Sequence, residues 1–220
     1  KYLKESESDK KAVIVVTANR GLAGGYNSNI TRMIIDEGFT KENTVVYAVG
    51  KKGRELLERK GYEIKADYSE AINDPIYKDA KEICDDVLSA FADGEVGEIY
   101  LAYTVFKNTV VHEPQLIRLL PVEADDAAHE TDGSEALMTY EPSEEEALDM
   151  IIPKYVCSLV YGALIESVAS ENGARMQAMD SATSNAEEMI STLSLKYNRA
   201  RQASITQELT EIIAGANAIE

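Results

Sequence analysis

The sequence predicts an α/β protein with an open, mostly parallel sheet and flanking helices, followed by a very long C-terminal α-helix of coiled-coil type. Three observations predict it. The apolar, β-branched run Ala12 to Thr17 ends in a glycine-rich loop, as a buried parallel strand does before turning into a helix. Strand-like and helix-like segments then alternate as far as Leu120, the pattern of a layered α/β sheet. Beyond Lys154 no proline interrupts the chain, and apolar residues recur at steps of three and four.

The elements follow in order. After the loop Asn19 to Gly25, Ile30, Met33 and Ile34 predict a helix over about 27–37, and Thr44 to Val49 reads as a second strand, completing a βαβ unit. Lys51 to Lys60 is a short amphipathic helix, and Gly61 to Ala66 a shorter strand. Ile83, Val87 and Leu88 mark a helix over 76–92, and Glu98 to Val105 a further strand. Lys107-Asn108-Thr109 turns the chain into His112 to Leu120, where Pro114 lacks a backbone donor and predicts a sheet edge or an interrupted strand. The order is Rossmann-like, and it assigns 1–121 to one α/β domain.

From Val122 to Tyr140 the chain is rich in Asp, Glu, Ala and Gly, which marks 122–142 as an acidic linker. Ser143 and Glu146 form a capping box that opens a helix over 143–220, with a break expected near Pro153. At about 1.5 Å per residue the part after Lys154 spans roughly 100 Å, more than a small domain can cover. Met176, Met179, Thr183, Ala186, Ile190, Leu193, Tyr197 and Ala200 make one seam that calls for a partner helix. Upstream the same register passes Tyr155, Gly162, Ile165, Ala169 and Asn172, whose small members allow a partner to come close. Ile205, Leu209, Ile212, Ala216 and Ile219 continue the stripe, and no charged residue occurs from Ile212 to Ile219. Arg201 and Glu208 share one face just before it, and Gln202 and Thr206 another, giving a polar collar below an apolar tip.

Composition narrows the function classes. The 220 residues carry 22 Lys plus Arg against 39 Asp plus Glu, a net charge of −17 that disfavours nucleic acid as a partner. Cys84 and Cys157 form no CxxC pair and fall in expected helices, so they read as small core hydrophobes in a reduced protein. No metal is expected, and the carboxylate runs at Asp125-Asp126 and Glu144 to Glu146 read as solvated or capping groups. His112 and His129 are the only histidines, and neither is read as catalytic. Arg20-Gly21-Leu22-Ala23-Gly24-Gly25 follows a strand but does not space its glycines as a dinucleotide fingerprint, and no GxxxxGK[ST] loop exists, so no cofactor is expected. A continuous apolar run long enough to span a bilayer is likewise not read in the sequence.

Three blocks carry a resemblance. Tyr197-Asn198-Arg199-Ala200-Arg201-Gln202-Ala203 followed by Ile205 to Ala218 closely resembles the C-terminal signature of ATP synthase gamma subunits of the bacterial type. Thr17 to Asn27 and the segments Ala174 to Met179 and Ala182 to Ala186 resemble the same family. The resemblance implies a non-catalytic central rotor shaft, coupling ion flow through the membrane sector to ATP synthesis or hydrolysis in a ring of alpha and beta subunits. Arg201, Gln202, Thr206 and Glu208 would meet the catch loop of a beta subunit, while Tyr140 and Glu141 would touch the epsilon subunit and the membrane c-ring. Contact with the membrane is implied only through partners, at the cytoplasmic face of the cell membrane. The family's N-terminal helix has no counterpart ahead of the strand at Ala12, so a truncated or processed chain is expected. A nucleotide-dependent enzyme and an unrelated coiled-coil adaptor stand as the two other readings.

Overall fold

The computed structural model of the chain describes residues 2, 8–122 and 143–218. Five strands make one sheet in the order β3-β2-β1-β4-β5: β1 Lys11–Val16, β2 Thr44–Val49, β3 Glu63–Asp67, β4 Glu98–Phe106 and β5 His112–Leu120. β1 pairs in parallel with β2 and β4, β2 in parallel with β3, and β5 runs antiparallel to β4. The helices are α1 Tyr26–Asp36, α2 Lys51–Arg59, α3 Tyr77–Ala92 and α4 Glu144–Asn217. The predicted class is the observed one.

Each strand's place follows from its side chains. β2 is buried at every position, so it cannot lie at an edge. Glu63, Ile64, Lys65, Ala66 and Asp67 alternate between exposed and half-buried, which suits β3 to the sheet margin. Pro114 pairs opposite Thr104 within a continuous β5, so the strand is not interrupted there, and the edge alternative is the realised one.

The pleat divides β1 between two cores. Ala12, Ile14 and Val16 face α3 and the first part of α4, where Ile83, Cys84, Val87, Leu88, Ile152, Val156, Cys157, Val160, Ala163 and Leu164 pack. Val13 and Val15 face Ile30, Ile34 and Leu57 of α1 and α2. Side chains as fully buried as Ile14, Ile83 and Leu164 each contribute roughly 1.5–3 kcal/mol.

The chain divides into two units, Lys1–Gln177 and Ala178–Glu220. The boundary between these units falls inside α4. The first part of α4 carries too much buried apolar surface to stand apart from the sheet. α4 also passes through Pro153 without a break. The proline removes one donor from the ladder, but Ile152, Val156 and Cys157 on either side are at most 6% exposed and hold the helix against the core. One apolar window of α4 has a mean hydropathy of 1.5, enough in length and composition to cross a bilayer, and a third of it is buried inside the protein. No such window was expected from the sequence. It is apolar on two sides because one side serves the core and the other is an exposed stripe.

Candidate functional site

Two regions carry the residues that the sequence singles out. The first is the crevice at the carboxyl ends of β1 and β2, beside the β1–β4 switch point where open α/β sheets commonly place ligands. Three consecutive residues after β1 satisfy the first amides of α2. The Gly53 amide donates to Thr17 Oγ1 at 2.9 Å, the Lys52 amide to the Ala18 carbonyl at 3.0 Å, and the Lys51 amide to Asn19 Oδ1 at 2.9 Å. Asn19 Nδ2 in turn donates to the Ser69 carbonyl at 2.7 Å and to Asn73 Oδ1 at 2.9 Å. The donors that would cradle a phosphate at this helix start are therefore engaged within the protein. Gly50, at φ 115°, and Gly53 bring α2 so close that a Cβ on either would lie 2.1 Å from the Thr17 carbonyl oxygen or 2.5 Å from Thr17 Oγ1.

The glycine loop then starts α1. Asn27 Oδ1 accepts the Ala18 amide at 2.9 Å, and Ala23 and Tyr26 pack with Ala18 against Ala174 of α4. Leu22 sits at φ 63° with 75% of its surface exposed, an outward side chain on backbone that L-residues rarely adopt. Tyr26 reaches α4, donating to the Ser167 carbonyl at 3.0 Å, and burial pushes its phenol pKa up. Lys51–Glu70, Lys52–Glu55 and Arg54–Asp67 ion pairs compensate the cations around the crevice.

The second region is α4 itself. On its first part the predicted seam is the solvent face: Tyr155 is 57% and Ile165 44% exposed, Gly162 and Asn172 are exposed and Ala169 half-buried. The face that packs on the sheet runs instead through Ile152, Val156, Val160, Ala163, Ser167 and Ser170. From Met179 to Ala218 every residue is exposed, including Ile190, Leu193, Tyr197, Ile205, Leu209, Ile212 and Ile213. So many large apolar side chains along one element exceed what a solitary surface helix carries.

Arg201, Gln202, Thr206 and Glu208 are all exposed on this helix. The Thr206 carbonyl accepts Thr210 Oγ1 at 2.8 Å, and Gln207 Nε2 donates to Glu211 Oε1 at 3.0 Å, so the polar groups here bond along the helix. Among the described residues the four collar side chains have no hydrogen bond or ion pair with one another. Tyr140, Glu141, Asp125, Asp126 and His129 lie outside the described residues. His112 is half-buried on β5 beside Phe106 at a ring distance of 6.3 Å, and Cys84 and Cys157 are free and buried.

An α/β sheet with its crevice occupied by its own loop, joined to a helix that leaves an apolar stripe uncovered, defines a component of a larger assembly. The sequence family described as ATP synthase matches residues 1–219. The ATP synthase gamma chain of Lachnoclostridium phytofermentans is 66% identical over 224 residues, covering 99% of this chain and 77% of that one. The sodium-ion-specific gamma chain of Acetobacterium woodii is 42% identical over 234 residues, covering 99% and 78%. A chain of the Euglena gracilis mitochondrial ATP synthase shares the fold with a TM-score of 0.72 at 20% identity, over 97% of this chain and 74% of that one. This chain belongs to the ATP synthase gamma-chain family.

Proposed function

We propose that the chain is the central rotor shaft of an ATP synthase and is not itself catalytic. Its α4 turns within a ring of alpha and beta subunits, and because the two interactions are linked, torque and site affinity drive one another in both directions. In this reading residues 1–121 form the foot, 122–142 an acidic linker and 143–220 half of the shaft. The observation that carries it is the exposed apolar stripe from Met179 to Ile213, which gains a cover inside an apolar sleeve. Arg201, Gln202, Thr206 and Glu208 form the collar that meets a beta subunit's catch loop. Tyr140 and Glu141 meet the epsilon subunit and the c-ring, and the chain reaches the membrane only through such partners, at its cytoplasmic face. The coupling ion is a proton or sodium, the latter named for the Acetobacterium woodii relative.

The test is reconstitution with alpha and beta subunits, supplying the part of a gamma relative that this chain does not cover. Entry into the ring with ATP turnover above that of alpha and beta alone is expected, and Gln202→Ala or Glu208→Ala lowers that turnover without loss of binding. A competent ring that ignores the chain would sink the proposal.

A further inference from the structure

Four hydroxyl-bearing residues meet where α1, the carboxyl end of β4 and α4 come together. Tyr26 Oη donates to the Ser167 carbonyl at 3.0 Å, and Ser170 Oγ donates to the Thr104 carbonyl at 3.2 Å. These two bonds tie α4 to α1 and to β4. They also bring two further hydroxyls into the same junction, on residues of very low exposure: Thr104 at 2% and Ser167 at 0%. Thr104 Oγ1 and Ser167 Oγ have no hydrogen-bond partner there. A buried hydroxyl without a partner is costly, and two within one junction are rarely kept dry. The Tyr26 phenol gives its one hydrogen to Ser167 and retains lone pairs that can accept. The Thr104 hydroxyl lies near enough to the phenol to oppose part of the effect of burial on it.

We propose that this junction binds an internal water, held by Thr104 Oγ1, Ser167 Oγ and Tyr26 Oη. One water supplies two donors and two acceptors, matching the three groups, and buried waters typically make about three such bonds. The site lies at the end of β4 next to β1, the point where the strand order reverses from the β2 side to the β4 side. That is where open sheets take ligands, and here α4 and a solvent molecule fill the place. At this turn α4 is therefore fastened to the sheet through an exchangeable hydration site, whereas one and two turns earlier Leu164 and Val160 fasten it by apolar packing. The proposal does not depend on the rotor reading.

The sign of a stability change tests it. Thr104→Val keeps the shape and suits a strand, and Ser167→Ala suits a helix. In the full chain, with the water present, each single change removes one of its partners and lowers the thermal midpoint by about 2–4 °C. The double variant falls by less than the sum, because the same water is lost once. If the hydroxyls are dry, deleting either removes a desolvation cost, and an unchanged or higher midpoint overturns the proposal. A crystal structure of the full chain gives a second readout. Density within hydrogen-bond distance of both Thr104 Oγ1 and Ser167 Oγ supports the site, and an empty junction rejects it.

Discussion

Thr17 shows how much a single residue decides in this fold. Its hydroxyl donates to the Val49 and Gly50 carbonyls at 3.4 and 3.3 Å and accepts the Gly53 amide at 2.9 Å, so one buried side chain joins β1, β2 and α2. The glycines opposite are required by space. Gly50→Ala would place a methyl 2.1 Å from the Thr17 carbonyl oxygen on backbone at φ 115°, and the two penalties act together. The variant is expected to lose about 3 kcal/mol or more of unfolding free energy in urea titration, and an effect below about 1 kcal/mol would show that the loop yields easily. The loop was legible in the sequence as a strand-to-helix connection, from Val16 into the glycines. That Thr17, Ala18 and Asn19 cap the distant α2 was not, because the pairing depends on β2 lying beside β1, which no local pattern specifies. The nearest hint was Gly50 and Gly53 flanking the two lysines directly after a strand.

At the scale of the element, α4 is the helix whose sequence was read both well and badly. Its existence and its exposed seam followed from apolar residues at coiled-coil spacing and from the lack of proline after Lys154. Its buried face did not. Ile152, Val156, Val160, Ala163, Ser167 and Ser170 also recur at steps of three and four, so the first part of the helix carries two apolar faces and periodicity alone does not rank them. The register set by Met176 to Ala200 carried the reading back onto the solvent side, while Ala163, Ser167 and Ser170 let the other face of α4 lie close on the sheet. Truncations separate the two parts of the helix. Leu164→Ala, at a fully buried site in the shared core, is expected to cost about 2–5 kcal/mol. Leu193→Ala, at a site 59% exposed, is expected to change stability by less than about 0.5 kcal/mol in the chain alone. Equal losses in thermal unfolding of the two variants would mean that the stripe is already covered.

Among the described residues the molecule combines one unit with two large apolar cores and another with no buried side chain, and its stability cannot be uniform. Within Lys1–Gln177 the strands β1 and β2 are buried nearly throughout, and their amides open only with the core. Within Ala178–Glu220 the described residues are almost all exposed, so the helix there rests on its own backbone ladder and a few bonds such as Thr183 Oγ1 to the Met179 carbonyl at 2.9 Å. Continuation from an anchored helix avoids a fresh nucleus, yet each added turn gains little without a buried face. Amide hydrogen exchange of the isolated chain is therefore expected to be fast from Met179 onward and slowest in β1 and β2, with a contrast of several orders of magnitude. On addition of alpha and beta subunits the same helical amides become protected, whereas those of β1 and β2 change little. Slow exchange beyond Met179 in the chain alone would have a different cause, association of the stripe with itself, and sedimentation at two concentrations would reveal it. The comparison thus reads whether the apolar surface on α4 is kept open for other chains or closed by copies of its own.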